Sequence, residues 1–416
     1  WYEIGDVIGI GDNEFSYCGF PKENVSVSKA RLATEELYKM EKERNLNNSI
    51  ETNSTNNVAF KSFEELQDKG GDIIAPFACT TLIVKDTNNN VYHGRGMELT
   101  FGEGLSSLTY YPKGHVFQHL APDQTKGLEF TAKYAVMAVT TPISAFDPKC
   151  AMEGFNDAGL AFSLNMMPAP PLKDLTPDQY PNSVPFASFG EYVLAVFATV
   201  EELKAGITQG VNFWSESLQM LGGLKTPFHF AVYDKTGGSV VIEVKNGALI
   251  VYDNPTGVMT NGPEFPWHIE NLNNYSHMTN IETVVGQGGD VKLRQPDSGI
   301  ATSVLPSSAT SVGRFVKAVY YSAFANRVDN PDVQLAELGH VMNNFDRPKN
   351  ITKELAAPAK EDGTPAKYMT EFTLWVVLTD LSRGEMHVRL YDSLNYQKFT
   401  FEQFKSNTDE VSILLK

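Results

Sequence analysis

From Ile73 onward the chain is cut by turn residues into short runs rich in β-branched and aromatic residues. Such runs are too short for long helices and stack instead into sheets. They cover residues 80–85, 91–94, 108–111, 135–140, 160–164, 228–233, 239–244, 249–252, 372–378 and 385–391. Residues 86–90 and 234–238 read as hairpin loops, because Asn, Asp and Gly tolerate the backbone angles of tight turns. Helical spacing appears over 188–197, 200–205, 312–324 and 333–343, and more weakly over 218–221. Ser188 and Glu191 stand at the spacing of a capping box. Strands in runs followed by helices in runs favour an α+β fold over a doubly wound parallel sheet.

The first 78 residues differ in texture. Ser28 suits a helix cap, and Ala30, Ala33, Leu37 and Met40 follow at helical spacing, with Glu35, Glu36, Lys39, Glu41, Lys42 and Glu43 among them. This predicts an amphipathic surface helix. Residues 45–57 are almost wholly Asn, Ser, Thr and other polar types, too poor in apolar surface to order themselves, and read as a flexible linker. A short helix with Phe60, Phe63 and Leu66 should stop at Gly70-Gly71. Lys+Arg number 34 against 50 Asp+Glu, a formal charge of −16, which argues against nucleic acid and against an anionic membrane face. No apolar run approaches the roughly 18 residues of a membrane span.

Phosphate-loop, nucleophile-elbow and C-x-x-C patterns are absent. Gly9-Ile-Gly11 lacks the third glycine of a dinucleotide loop. His115 and His119 stand at metal-ligand spacing only if helical, and no Glu is placed as in H-E-x-x-H, so ordinary histidines are the expectation there. The informative stretch is Ala78-Cys79-Thr80-Thr81, a small residue and a cysteine at the head of a strand. A thiol attacking an amide needs a base and oxyanion donors, yet no histidine has a recognisable partner. Cutting the chain before the cysteine supplies the base: a freed α-amino group has a pKa of about 8 and reaches its own thiol.

Cys79-Thr-Thr-Leu-Ile-Val-Lys-Asp86, with Tyr92-His-Gly-Arg-Gly-Met-Glu98, resembles the start of the mature choloylglycine hydrolase family, which includes bile salt hydrolases and penicillin V acylases. Glu153-Gly-Phe-Asn-Asp-Ala-Gly-Leu-Ala-Phe-Ser-Leu-Asn165, Asn254-Pro-Thr-Gly-Val-Met-Thr-Asn-Gly-Pro-Glu-Phe-Pro-Trp-His268 and Ser311-Val-Gly-Arg-Phe-Val-Lys317 resemble later family segments in the same order. The resemblance implies the αββα sandwich of N-terminal-nucleophile hydrolases and hydrolysis of a linear amide through a thioester. It implies Cys79 as nucleophile, its α-amino group as base and Arg95 beside the thiol. Glu98 takes a position where many members carry Asp, and would bind the α-amino group. The Asn165 backbone N–H and the Asn261 side-chain amide would form the oxyanion hole, and Arg314 would support the site electrostatically. Asn165 fits bile salt hydrolases better than penicillin V acylases, where Tyr is usual, whereas Met166, Met167 and the Pro-rich continuation fit neither.

Residues 1–78 then read as a pro-segment removed by self-cleavage, leaving 79–416 as the catalytic domain. The expected substrate is a small-molecule N-acyl amide with an apolar acyl group: a conjugated bile acid, penicillin V, or an N-acyl homoserine lactone or amino acid. An acid ceramidase-like lipid amidase and a silent binding module on the same scaffold are the alternatives. No metal or organic cofactor is implied, and a homo-oligomer is compatible with the sequence. The start at Trp1 and the pro-segment favour a periplasmic or secreted protein, in which Cys18 and Cys150 would be free to pair and leave Cys79 as a thiol.

Overall fold

Asp86 closes the first hairpin. Its carboxylate accepts the N–H groups of Asn88 and Asn90 and the Asn90 side-chain amide, each at 2.8 Å. This Asx arrangement turns the chain, so that β1 (Phe77–Lys85) runs antiparallel to β2 (Val91–Leu99). The structure is a computed structural model. It describes residues 77–100, 104–146, 149–167, 169–218, 223–283, 285–357 and 364–416, together with a two-stranded pair, Glu14–Phe15 with Val25–Ser26. Residues 1–70 and 71–416 form separate compact units. The expected pro-segment helix, the linker 45–57, the helix around Phe63 and the Cys18 end of the expected disulfide lie outside the described residues.

The following strands are β3 (Ser107–Tyr111), β4 (Val136–Thr141), β5 (Cys150–Asn156), β6 (Leu160–Met166), β7 (Phe228–Asp234), β8 (Ser239–Lys245), β9 (Ala248–Asp253), β10 (Val258–Met259), β11 (Phe372–Asp380), β12 (Glu385–Leu390), β13 (Gln397–Thr400) and β14 (Val411–Leu414). Every pairing among them is antiparallel. One six-stranded sheet has the order β10-β1-β2-β11-β12-β13, and one eight-stranded sheet the order β9-β8-β7-β6-β5-β4-β3-β14. β1 of the smaller sheet lies against β6 of the larger. Helix α1 (Phe189–Val196) packs on β5 and β6, while α2 (Val200–Gly206) lies against β7. Helix α3 (Phe265–Asn271) follows β10. Helices α4 (Ser311–Phe324) and α5 (Pro331–Asn343) cover the smaller sheet, on β1 and β2 respectively. The result is helix, sheet, sheet, helix. Strands β2, β5, β6, β7 and β11 are buried along their whole length. Burial on both faces leaves β7 and β11 without a strict apolar–polar alternation, while the polar residues within β2, β5 and β6, among them His93, Arg95, Glu98, Glu153 and Asn165, are enclosed with them.

Two local expectations fail. Of the helix expected over 218–221, only Leu218 lies within the described residues, and it is in a strand: Ser217–Leu218 pairs with Leu224–Lys225. Glu191 does not complete a capping box on Ser188, because its carboxylate reaches across to the Ala151 N–H at 2.5 Å. Strand β5 escapes a propensity reading, since Cys-Ala-Met-Glu-Gly-Phe-Asn holds no β-branched residue.

Gly94 fixes the approach of α5. A Cβ there would meet Met342 Sδ at 2.8 Å and Leu338 Cδ1 at 2.9 Å. Gly94→Val is therefore expected to cost about 1–3 kcal/mol by overpacking, read as a lower urea midpoint at unchanged slope.

Candidate active site

The β1–β2 register sorts the site onto two faces. Cys79 lies opposite Met97, Thr81 opposite Arg95 and Ile83 opposite His93. These side chains point between the sheets, toward β5 and β6. Thr80, Gly94, Gly96 and Glu98 alternate onto the other face, toward α4 and α5.

Cys79 is 1% exposed. Its Sγ lies 3.0 Å from Arg95 Nη2 and 3.8 Å from Met97 Sδ. Burial pushes the thiol pKa up, and the Arg95 charge works against that rise. Arg95 is fully buried. Its Nη2 also donates to the Leu164 carbonyl at 2.8 Å, its Nη1 donates to the Gly96 carbonyl, and the guanidinium sits 5.6 Å from the Trp375 ring centroid. Its Nε faces Glu153 Oε2 at 4.0 Å. Glu153 Oε2 accepts the Ser163 hydroxyl at 2.5 Å, and His93 Nδ1 lies 3.1 Å from Glu153 Oε1. Thr81 Oγ1 closes the ring with contacts to His93 Nε2 at 2.7 Å and Ser163 Oγ at 3.0 Å. Sequence reasoning missed this network. His93, Glu153 and Ser163 sat in the matched segments, but nothing local shows that they meet across two sheets.

The backbone of Cys79 is pinned from the other face. Arg314 lies in the first turn of α4, behind a Thr310 cap whose Oγ1 accepts the Gly313 N–H. Its Nη1 donates to the Cys79 carbonyl and to Thr80 Oγ1 (2.9 Å), and its Nη2 donates to Asn261 Oδ1 at 2.7 Å. Asn261 Oδ1 also accepts the Cys79 N–H at 2.9 Å. Asn261 Nδ2 gives one hydrogen to the Met166 carbonyl at 2.8 Å, which leaves the amide's second hydrogen for another acceptor. The Asn261 backbone is fixed at both ends: its N–H donates to Ser311 Oγ at 3.0 Å, and its carbonyl accepts from His268 Nε2 at 2.9 Å. Burial holds His268 down at a pKa of about 4, so it is neutral at pH 7. The Thr260 carbonyl accepts from Asn165 Nδ2 at 2.5 Å and from His229 Nε2 at 3.1 Å, and His229 Nδ1 lies 3.2 Å from Glu243. Asn165 itself sits in register with His229 on β7.

Glu98 is fully buried. A Cβ on Gly96 would come within 2.9 Å of its Oε1, so the bare glycine makes room for the longer side chain. The Thr373 hydroxyl donates to Oε1 at 3.4 Å. Burial raises the Glu98 carboxyl to a pKa of about 7, against the pull of Arg314 and Arg95 and with a smaller push from Glu371. In the intact chain the Cys79 N–H is thus held by Asn261 rather than by Glu98. All six candidate residues meet around one strand end. His115 and His119 do not join them. His115 precedes the strand Val116–Leu120 and His119 lies in it, on either side of Phe117, with ring centroids 4.7 Å and 6.5 Å away. Among the described residues no cluster of His, Cys, Asp and Glu could hold a metal ion, and no helix is long and apolar enough to cross a membrane.

The model of the linear amide C–N hydrolases, choloylglycine hydrolase family, matches residues 79–413 and begins at Cys79 itself. The chain belongs to this family. It is 28% identical over 335 residues to a bile salt hydrolase/transferase of Clostridium perfringens, covering 80% of this chain and 94% of that one. A penicillin V acylase of Pectobacterium atrosepticum is 26% identical over 254 residues, 59% of each chain. Among solved structures, a mutant conjugated bile acid hydrolase from Clostridium perfringens superposes with a TM-score of 0.66 at 22% identity, over 81% of this chain and 97% of that one. Penicillin V acylase from Agrobacterium tumefaciens gives 0.59 at 21% identity, over 78% and 87%. These likenesses confirm the N-terminal-nucleophile hydrolase sandwich.

The Glu98 carboxyl makes stability pH-dependent. Its folded pKa of about 7 lies above the ordinary 4.5. Between these values the unfolded chain is ionised while the folded chain holds its proton, so stability falls as pH rises through that window. Glu98→Gln should flatten the decline in the intact 416-residue chain, worth up to about 3 kcal/mol between pH 4.5 and 7.5. Urea unfolding at the two pH values checks it.

Proposed function

We propose that this amide hydrolase works through a thioester on Cys79, after the Ala78–Cys79 bond is cut. The observation that carries the reading is the buried thiol 3.0 Å from a buried guanidinium, at the residue where the family match begins. In the intact chain burial pushes the thiol pKa up and the Cys79 nitrogen is an amide, so it cannot serve as the thiol's base. Self-cleavage would start with attack of Cys79 Sγ on the Ala78 carbonyl. The peptide C–N bond breaks, the nitrogen takes the thiol proton, and water hydrolyses the resulting thioester to an Ala78 carboxylate and a free Cys79.

The freed amine, with a pKa of about 8, is partly neutral at pH 7. It takes the thiol proton while Arg95 favours the thiolate. The thiolate adds to the substrate carbonyl, and the oxyanion is met by the remaining Asn261 amide hydrogen and the Asn165 backbone N–H. Collapse transfers the proton from the α-ammonium to the leaving amine and leaves an acyl thioester, which water opens with the α-amine again as base. Arg314 holds the Cys79 carbonyl and Asn261 Oδ1, so nucleophile and oxyanion donor keep their spacing. The acyl group is apolar: Met97 lies beside the thiol, Met167 adjoins Gly262, and flexible thioethers mould to apolar groups. The substrate is an N-acyl amide of the conjugated bile acid, penicillin V or N-acyl homoserine lactone or amino acid type.

N-terminal sequencing and intact mass after incubation at neutral pH test this. Wild type is expected to begin at Cys79 and to hydrolyse members of such a substrate panel, while Cys79→Ser stays whole or is cut far more slowly. Wild type that keeps its Ala78–Cys79 bond, yet hydrolyses amides at full rate, would sink the reading. In cleaved enzyme, Asn261→Ala is expected to lower kcat by ~10²–10³ with a smaller change in KM.

A further inference from the structure

Two buried carboxylates, Glu98 on β2 and Glu371 just before β11, each keep an oxygen without a hydrogen-bond donor, Glu98 Oε2 and Glu371 Oε1. Glu98 is 0% exposed and Glu371 5%. Buried acceptors are normally satisfied, so such a pair asks for donors. The two are tied together. The Thr373 hydroxyl donates to Glu98 Oε1 at 3.4 Å and accepts the Arg347 N–H at 2.9 Å, and the Arg347 guanidinium pairs with Glu371. Strand register sets Ala78, Glu98 and Thr373 side by side, and Glu371 faces the Ala78 backbone N–H. Both carboxylates thus border the Ala78–Cys79 junction.

In the intact chain residue 79 offers one amide hydrogen, and Asn261 Oδ1 takes it. An α-ammonium at the same nitrogen carries three. The two additional hydrogens match the two unsatisfied oxygens in number and the two carboxylates in charge. Resting on the cleavage proposed above, we propose that Glu371, held by Arg347, is a positioning residue that shares with Glu98 the α-amino group released at Cys79. The acidic pair is then complete only in the cleaved chain.

The charges facing that nitrogen come from several elements. Glu98 and Arg95 lie on opposite faces of β2, and Arg314 comes from α4. Glu371 and Arg347 lie on the segments that enter β11 and leave α5, and Glu354 faces Glu371. Carboxylates favour the ammonium and guanidiniums oppose it. Glu371→Gln removes one anion, so the amine should lose its proton more readily. The acid limb of kcat/KM against pH, which reports the free enzyme's base, should move down by about one pH unit.

The test uses full-length protein after self-cleavage. Its readouts are the pH profile of kcat/KM and, independent of turnover, the pH dependence of α-amine reductive methylation. Glu371→Asp is expected to keep the wild-type limb. Arg347→Gln, which leaves Glu371 less neutralised, should move the limb upward, and it carries the test if Glu371→Gln does not fold. A limb that stays in place in either variant, once folded and cleaved, overturns the proposal. Wild type that never exposes Cys79 as its first residue overturns the cleavage reading itself, and the proposal with it.

Discussion

Two buried guanidiniums grip one strand end, and the site depends on how their charges are met. Arg95 approaches Cys79 from between the sheets, and Arg314 reaches its carbonyl from under α4. Removing such charges from water costs several kcal/mol each unless carboxylates and hydrogen bonds compensate. On the inner face Glu153 lies 4.0 Å from Arg95, accepts the Ser163 hydroxyl and comes within 3.1 Å of His93 Nδ1. On the outer face Glu98 and Glu371 serve Arg314 and Arg347, and they do so incompletely. The outer arrangement leaves two carboxylate oxygens without donors beside the Ala78–Cys79 junction.

The surrounding fold holds these charges rigidly. Antiparallel pairing of β1 with β2 and of β2 with β11 leaves no freedom in where Cys79, Arg95 and Glu98 stand. The close seat of α5 on Gly94 sets the outer face, and bare Gly96 gives Glu98 its room. The Thr260–Asn261 segment, which ends β10, is held by Asn165, His229, His268 and Ser311 together. An oxyanion donor gains from such preorganisation because no reorientation is needed when charge develops.

Much of this was legible in the chain. The strands around Thr81, Phe230 and Val376 announce themselves by apolar, β-branched runs, and the loops at Asp86 and Asp234 by turn chemistry. Cys79, Arg95, Glu98, Asn165, Asn261 and Arg314 were each marked by the ordered segments that contain them. Local signals failed where tertiary contacts competed. Glu191 had the spacing of a cap but was drawn to the Ala151 amide, and β5 pairs in the middle of its sheet despite a composition poor in strand formers.

The sequence by itself determined the alternation that sorts residues onto strand faces, the family and the short set of residues with chemistry to offer. These depend on spacing along the chain. Only the tertiary structure decided that Glu153 from β5 meets His93 from β2, that Arg314 closes on a carbonyl far away in sequence, and that Glu371 joins Glu98 beside Ala78. Such pairings cross from one sheet or layer to another. Their distances follow from how whole elements stack, which no local spacing encodes.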